Sequence, residues 1–307
     1  MRKQLTVFFI LAVIFVSALC PISASAESID KTAEASLSLS YEKEGQTFSE
    51  LNISIYRVAE VYQYDMYKLT GAFESYPVNI YGIKSQEQWQ NVADTLDSYI
   101  IRDKLSPDRE GVTDEAGQIL FEGLETGLYL VCEVTAENDS GRYVFNKFMV
   151  YLPTPAGNGS YNYNVTAKPK CINYVPKTEY RVTKLWQDAE NRSERPENIT
   201  VDIFRDGEIY ETQTLSEANN WSYAWHVSED DGGRWTVAER DVPDSYNVTV
   251  IENGASFSII NTHNSSTDTP DSPETGDTAN PMLWILLMCL SGTAMIILSF
   301  SRGQREE

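Results

Sequence analysis

The sequence Val182-Thr183-Lys184-Leu185-Trp186 alternates bulky and polar side chains, which is the period-2 pattern of a β-strand. Its lysine shares the apolar face of that strand with Val182 and Trp186. The stretch Trp235-Thr236-Val237-Ala238-Glu239 places a glutamate in line with bulky residues in the same way, and Phe257-Ser258-Ile259-Ile260-Asn261 places an asparagine. Unpaired polar groups in a core are costly, so we expect Lys184, Glu239 and Asn261 to meet.

A lysine, a carboxyl and a carboxamide that meet in an apolar core can react with one another. Burial lowers the pKa of a lysine and raises the pKa of a carboxyl group, which gives a neutral amine and a proton donor. The amine of Lys184 would attack the carboxamide of Asn261, Glu239 would transfer the protons, and ammonia would leave. The residues alone leave a second interpretation open, a non-covalent ion pair with a hydrogen-bonded asparagine.

Residues 178–263, which contain these three stretches, are predicted to form a β-sandwich domain. The run 199–204 leads to Asp206-Gly207 and the run 248–251 leads to Asn253-Gly254, and both dipeptides are typical of type I′ hairpin turns. Trp221, Tyr223 and Trp225 alternate along another strand. The region has no room for a long helix, which favours two packed sheets.

Several segments of this region, in order and spacing, resemble the collagen-adhesin (Cna) B-type domain over residues 181–263. They are Val182-Thr183-Lys184-Leu185-Trp186, Arg195-Pro196, Asn220-Trp221, Thr236-Val237-Ala238-Glu239 and Ile260-Asn261-Thr262. The resemblance implies a stalk domain in which Lys184 and Asn261 form an isopeptide cross-link and Glu239 is the catalytic acid. Such a reaction happens once, within the protein itself, so we do not expect an enzyme.

Residues 30–172 are predicted to form a second domain. Leu37, Leu39 and Tyr41 alternate as in a strand, and Ser85-Gln86-Glu87-Gln88 fits a capping box that opens a helix. Apolar residues then recur at the helical spacing of a core-facing stripe, namely Trp89, Val92, Ala93, Leu96, Tyr99 and Ile100. The region resembles the N-terminal domain of SpaA-type major pilins of Gram-positive bacteria, which implies a Cna-B-like sandwich with an inserted helix. The expected fold is therefore all-β, with two tandem Ig-like sandwiches.

Whether this first domain also cross-links itself is left open by the sequence. Glu133 shares a strand face with Tyr129 and Val131, as a catalytic acid would, and Lys43 shares the face of Leu37, Leu39 and Tyr41 near the end of their strand. No asparagine in line with them is a convincing acceptor.

The segment 161–170, Tyr-Asn-Tyr-Asn-Val-Thr-Ala-Lys-Pro-Lys, resembles the pilin motif Trp-x-x-x-Val-x-Val-Tyr-Pro-Lys. The resemblance implies that Lys170 accepts the threonine acyl group of the next subunit. Tyr161 stands in place of the tryptophan, and Ala167 and Lys168 stand in place of Val-Tyr. The alternative is a solvated lysine at the end of a strand.

Both ends of the chain read as targeting segments. Arg2 and Lys3, an apolar run and Ala24-Ser25-Ala26 predict a secretory signal peptide over residues 1–26. Near the other end, the apolar segment 281–300 is long enough to span about 30 Å of hydrocarbon. The tail 301–307 carries Arg302 and Arg305, which is typical of a cytoplasmic end.

The linker 264–276 ends in Ser272-Pro273-Glu274-Thr275-Gly276, directly before the apolar segment. The layout resembles the Gram-positive cell-wall sorting signal, whose usual pentapeptide is Leu-Pro-x-Thr-Gly. By that resemblance a sortase would cut between Thr275 and Gly276, although Ser272 departs from the leucine. An ordinary membrane anchor behind a stalk is the alternative.

Composition excludes several classes of function. The 307 residues include 45 acidic and 24 basic side chains, for a formal net charge of −21, which argues against nucleic acid as a partner. With 2 histidines we expect no metal site, no cofactor and no histidine-based catalytic triad. Cys132 and Cys171 are an even pair in a predicted exported chain, where either a disulfide or two free thiols is compatible with the sequence.

These observations predict an exported structural protein of the bacterial cell wall, a pilin subunit polymerised by a sortase. The expected partners are the sortase and other pilin subunits or peptidoglycan. A singly anchored adhesin with a host surface ligand is the main alternative. A membrane protein with two Ig-like domains is a third interpretation.

Overall fold

The structure is a computed structural model that describes residues 28–63, 66–156, 159–189, 191–227 and 232–264. The described residues up to His263 belong to one compact unit. The predicted signal peptide 1–26, the sorting pentapeptide 272–276, the apolar segment 281–300 and the tail 301–307 lie outside the described residues. Within the described ranges, no helix is long and apolar enough to cross a membrane.

The described chain is mostly β, as predicted, and its one α-helix, α1, spans Gln86–Asp103. The N-terminal part has the strands β1 Ala35–Ser40, β2 Glu42–Lys43, β3 Gln46–Thr47, β4 Asn52–Gln63, β5 Met66–Leu69, β6 Arg109–Val112, β7 Gln118–Leu124, β8 Gly127–Val131, β9 Val134–Asn138, β10 Gly141–Phe145, β11 Phe148–Leu152, β12 Thr154–Pro155, β13 Tyr161–Asn162, β14 Asn164–Ala167 and β15 Cys171–Asn173. The C-terminal part has the strands β16 Glu179–Gln187, β17 Asn198–Arg205, β18 Glu208–Ser216, β19 Ser222–His226, β20 Trp235–Glu239, β21 Tyr246–Asn253 and β22 Ser256–His263. Strands pair within each part, and no described strand pairs across the two parts.

The N-terminal part is built around a sheet in the order β11-β8-β4-β5, with β6 on β4. Both faces of β8 are covered: Leu128 and Leu130 pack towards α1, whereas Tyr129 and Val131 pack towards the sheet β14-β1-β7. A third sheet has the order β15-β10-β9. Because β8 is covered on both sides, all five of its residues are buried.

The helix begins at the predicted capping box. The Gln88 N–H donates to Ser85 Oγ at 3.1 Å, and the Ser85 N–H donates to Gln88 Oε1 at 3.1 Å. Five of the six predicted stripe residues are buried, and Trp89 is half-buried. The opposite face is buried too, because α1 lies between β11 on one side and β20 and β21 on the other.

The C-terminal part consists of two sheets, β19-β16-β22-β21 and β18-β17-β20. Strands β16 and β22 are parallel, with Lys184 opposite Ile259 and Trp186 opposite Asn261. At the predicted turn Asp206-Gly207 both residues have positive φ, 51° and 83°, as a type I′ turn requires. The second hairpin also forms, but Asn253 pairs with Ser256, so its turn is centred on Gly254 and Ala255, one residue later than predicted.

Candidate functional site

Lys184, Glu239 and Asn261 meet between the two sheets of the C-terminal part. Lys184 and Asn261 lie two register positions apart on the parallel strands β16 and β22, so their side chains share the inner face. Glu239 ends β20 in the facing sheet. The relative exposures of Lys184, Glu239 and Asn261 are 2%, 2% and 0%. The structure therefore brings together the three side chains that the period-2 strand pattern identified.

The carboxylate of Glu239 contacts both partners. Lys184 Nζ lies 3.5 Å from Glu239 Oε2, and Asn261 Nδ2 donates to Glu239 Oε1 at 3.1 Å. Lys184 Nζ also donates to the carbonyl of Leu185 at 3.3 Å. Glu239 is thus placed to transfer a proton to or from either neighbour.

Burial shifts the two titratable groups of the site towards their uncharged forms. Burial lowers the pKa of Lys184 to about 8, although the Glu239 carboxylate acts in the opposite direction. Burial likewise raises the pKa of Glu239, against the effect of Lys184. A neutral amine and a protonated carboxyl are the forms in which these groups can act as nucleophile and acid.

Aromatic rings cover the lysine. Lys184 Nζ lies 4.2 Å from the centroid of the Trp186 ring, which packs edge-on against Trp221 and Tyr246 at 5.4 Å and 5.2 Å. These rings keep water away from the amine. They are therefore part of the cause of its lowered pKa.

The carboxamide of Asn261 has one atom that is unpaired within the described ranges. Its Oδ1 atom is buried and has no hydrogen-bond partner among the described residues. Rotation of the amide by 180° would bring Oδ1 to Glu239 Oε1, where a protonated Glu239 could donate to it. That orientation would polarise the carbonyl for attack by the Lys184 amine.

Lys170 lies in the exposed loop between β14 and β15, and its carbonyl accepts from the Asn146 N–H at 2.9 Å. It borders a cleft of about 720 Å³ between the two parts, whose opposite wall includes Trp235 and Glu252. The structure thus places Lys170 at the surface, away from the inner faces that carry the buried triad.

The residues considered for a second cross-link are not brought together. Lys43 contacts the side-chain oxygen of Asn173, and no carboxylate of the described residues lies within ion-pair distance of its amine. Glu133 instead lies 3.4 Å from Arg234 Nε. The sequence reasoning missed Asn173 because it lies in β15, beyond the strand considered for the acceptor.

The two described cysteines are free thiols in the structure. Cys132 packs against the hydrophobic cluster around α1, whereas Cys171 packs against the other cluster, around Tyr41 and Phe145. Their positions on two different cores favour the free-thiol alternative over a disulfide.

Sequence reasoning also missed a cluster of buried charges between the two parts. Lys147 is 2% exposed, Asp94 is 3% exposed and Asp97 is 1% exposed. Asp94 lies on the face of α1 opposite its apolar stripe and Asp97 lies at the flank of that stripe, and a local pattern assigns both positions to solvent. No sequence signal of the kinds used above identifies them.

Comparison with known proteins supports the family resemblance. Residues 180–262 match the Cna protein B-type domain family, which confirms the resemblance predicted over 181–263. The collagen adhesin of Staphylococcus aureus is 28% identical over 142 residues, which are 44% of this chain and 12% of that protein. The chain therefore matches only a small fraction of the relative's length.

Three solved structures, one of a collagen-binding surface protein and two of pilins, match this chain at low sequence identity. A single B repeat unit of the S. aureus collagen-binding protein is 15% identical, with 75% of this chain and 98% of that chain covered and a TM-score of 0.26. The shaft pilin SpaA of Lactobacillus rhamnosus GG is 15% identical, with 76% and 99% covered and a TM-score of 0.25. The major pilin SpaD of Corynebacterium diphtheriae is 12% identical, with 76% and 99% covered and a TM-score of 0.29. TM-scores this low carry no functional argument.

Proposed function

We propose that this chain, whose residues 180–262 match the Cna protein B-type domain, is a structural protein of the bacterial cell surface that cross-links itself through Lys184 and Asn261. The observation that carries this proposal is the contact of Glu239 with both side chains in a site closed to solvent. A covalent tie between β16 and β22 would join neighbouring strands of one sheet and resist their separation under tension.

The reaction balances without a cofactor. The neutral amine of Lys184 attacks Cγ of Asn261, and the new N–C bond replaces the bond from Cγ to Nδ2. Glu239 donates a proton to the carbonyl oxygen and accepts one from the attacking nitrogen. It passes that second proton to Nδ2, which leaves as ammonia, and it recovers the first proton when the carbonyl re-forms. The protein is consumed as its own substrate, so the chemistry is not that of a turnover enzyme.

Intact mass measurement of residues 27–276 tests the cross-link. One Lys–Asn amide lowers the mass by about 17 Da, the mass of ammonia, and is a covalent modification in its own right. A measured mass equal to that of the unmodified chain would refute the proposed chemistry.

We further propose that a sortase joins such subunits into a pilus. On this proposal Thr275 of one subunit is acylated by the sortase and then transferred to Lys170 of the next, or to peptidoglycan at the base. The exposure of Lys170 supports it, since an acceptor amine must reach an enzyme. The signal peptide 1–26, the two tandem sandwich domains and the membrane segment 281–300 belong to the same proposal.

Polymerisation is tested in the native host with Lys170→Ala and a matched control, Lys168→Ala. Lys168 is also exposed, lies two residues away and pairs with Glu42 Oε1 at 2.6 Å. High-mass ladders are expected for the wild type and Lys168→Ala and should be lost in Lys170→Ala. Ladders that persist in Lys170→Ala would contradict the acceptor role.

A singly anchored adhesin is the second candidate, favoured by the match to a protein named collagen adhesin. The matched region is 12% of that protein, so the match does not by itself bring its ligand to this chain. If protein released from the wild-type cell wall runs as a single species of monomer mass, without high-mass ladders, the adhesin is favoured over the pilin. The host surface ligand would then be sought with the cross-linked ectodomain.

A further inference from the structure

A cluster of six charged residues, of which Asp94, Asp97 and Lys147 are buried, lies where α1 and the C-terminal part meet. Its members are Asp94 and Asp97 on α1, Glu133 after β8, Lys147 between β10 and β11, Arg234 before β20, and Glu252 on β21. Lys147 Nζ is central, at 2.7 Å from Glu252 Oε2, 3.3 Å from Asp97 Oδ2 and 3.4 Å from Asp94 Oδ1. Arg234 contacts Asp97 and Glu133. We call this group the Lys147 cluster.

The contact between the two parts also closes the β21 edge of the sheet β19-β16-β22-β21. Strand β21 is the outer strand of β19-β16-β22-β21, and alternate N–H groups on its open side donate to the N-terminal part. Val248 donates to Pro77 O at 2.7 Å, Val250 to Thr95 Oγ1 at 2.8 Å, and Glu252 to Asp94 Oδ2 at 3.1 Å. Side-chain and loop oxygens thus act as a substitute strand along an edge that would otherwise be open.

Asp94 joins the two features, since one of its oxygens faces Lys147 and the other accepts from the edge of β21. The cluster holds two cations and four carboxyl groups, so its charge is not balanced even when complete. Burial raises the pKa of Asp94 and of Glu133. The loss of one cation would leave the remaining carboxylates less compensated still.

Lys147 differs from Lys184 in the chemistry that its surroundings permit. Burial opposes its charge, but Glu252 and Asp97 outweigh burial and hold the pKa of Lys147 well above its usual value. It is therefore an ammonium ion and not a nucleophile, so its position among carboxyl groups indicates an ionic role.

We propose that the Lys147 cluster is an ionic clamp that fixes the N-terminal part against the edge strand β21 in one arrangement. Buried charges contribute little net stability over an apolar contact, but they penalise every arrangement in which they are not paired. The clamp thereby selects one relative orientation of the two parts. It also keeps the edge of β21 closed to strand pairing with other chains.

The clamp has a consequence that depends on the proposed function. Asn146, next to Lys147, donates its N–H to the carbonyl of Lys170. The clamp therefore sets the position of the proposed acceptor lysine relative to the C-terminal part. Hydrogen–deuterium exchange measures the clamp itself and does not require polymerisation.

Hydrogen–deuterium exchange of the exported chain tests the clamp with Lys147→Met and the control Lys104→Met. Lys104 also joins the two parts, through Glu208 Oε1 at 2.8 Å, but those side chains are 66% and 78% exposed. In Lys147→Met we expect exchange in residues 246–253 to be about tenfold faster or more, because the N–H acceptors move away. Residues 256–263, which pair on both sides within their sheet, report whether the C-terminal part stays folded.

Unchanged exchange over 246–253 in Lys147→Met, or equal acceleration in Lys104→Met, would overturn the clamp. If Lys147→Met does not fold, the double variant Lys147→Met, Glu252→Gln decides, because it restores the net charge of the cluster. We expect the double variant to fold. Exchange in its residues 246–253 should be faster than in the wild type and slower than in a strand whose edge is open to water. Wild-type protection in the double variant would show that Lys147 is dispensable, and failure of the double variant to fold would refute charge compensation.

Discussion

The Nζ atom of Lys184 lies 3.5 Å from Oε2 of Glu239, and the exposure of both side chains is 0%. The two residues come from facing sheets, so the contact exists only once the sandwich has closed. Burial shifts the pKa of each group towards its neutral form. Folding therefore brings the amine, the acid and the Asn261 carboxamide together.

Alanine variants at the three positions should each abolish the cross-link. Lys184→Ala removes the nucleophile, Asn261→Ala removes the acceptor and Glu239→Ala removes the proton carrier. We expect each variant to have the mass of its unmodified sequence, without the loss of about 17 Da. Intact mass spectrometry of the purified chain is the measurement.

Lys43→Ala is the matched control, because Lys43 also contacts an asparagine side chain, that of Asn173. It is only half-buried, and no carboxylate of the described residues pairs with it, so we expect its variant to retain the loss of about 17 Da. A wild-type loss of about 34 Da that becomes about 17 Da in Lys43→Ala would show instead that burial and an acid are not required.

The rate of cross-linking should have a plateau near neutral pH and fall on both sides. The reactive state holds one proton on the pair, on Glu239 and not on Lys184. At low pH both groups are protonated, so the amine is not nucleophilic; at high pH both groups are deprotonated, so no acid remains. The measurement starts from unreacted chain that is kept unfolded in urea. The rate at which its mass decreases is followed after dilution into folding buffer.

A rate that rises continuously through pH 10 would contradict this account, because it would mean that only the amine has to be deprotonated. Glu239→Gln provides the control, since glutamine does not titrate. We expect this variant to cross-link negligibly at every pH.

The reactive site is predictable from sequence because it depends on strand periodicity. Lys184, Glu239 and Asn261 each continue a bulky i, i+2 series, and period-2 alternation fixes the face of a side chain whatever the rest of the fold does. The capping box at Ser85 identifies the start of α1 for the same reason, since its hydrogen bonds are local. In both cases the signal and the structure span only a few residues.

The Lys147 cluster is not predictable in this way. Asp94 is buried because β21, more than 150 residues later, packs on the polar face of α1, and Asp97 contacts Lys147 and Arg234, which are also distant in sequence. A helical pattern read alone assigns that face to water. The predicted position of the second hairpin turn is wrong for a related reason. The register of β21 and β22 places that turn one residue beyond the Asn253-Gly254 dipeptide.

Trp186→Ala should slow the cross-linking reaction. The ring lies over Lys184 Nζ at 4.2 Å, so its removal admits water and moves the pKa of the lysine back towards its usual value. Each pKa unit by which Lys184 rises lowers the neutral fraction of its amine at pH 7 about tenfold, and we expect the cross-linking rate to decrease by about that factor. Leu185→Ala is the control, because its side chain is 45% exposed. Equal rates in the two variants would show that the ring does not set the reactivity.

Both described cysteines should be alkylated in the unfolded protein and protected in the folded one. Burial raises the pKa of the Cys132 thiol to about 12 and also raises the pKa of Cys171. At pH 8 the thiolate fraction is therefore small, and iodoacetamide should modify the native chain slowly, Cys132 more slowly than Cys171. In urea both should react at the rate of a free thiol. A chain that resists alkylation in urea and is about 2 Da lighter would contain the disulfide instead.

Thr95→Val should weaken the packing of α1 on the edge strand without altering its shape. Thr95 is fully buried, and its Oγ1 accepts the Val250 N–H at 2.8 Å. Valine fills the same space but accepts no hydrogen bond, so the N–H of Val250 is left unpaired in the interior. The expected decrease in the free energy of unfolding is about 1–3 kcal/mol, measured by urea denaturation. Thr166→Val, at an exposed position of β14, should change it by less than about 0.5 kcal/mol. Equal stability of the two variants would mean that water replaces the threonine oxygen, and hence that the edge of β21 is not sealed by α1.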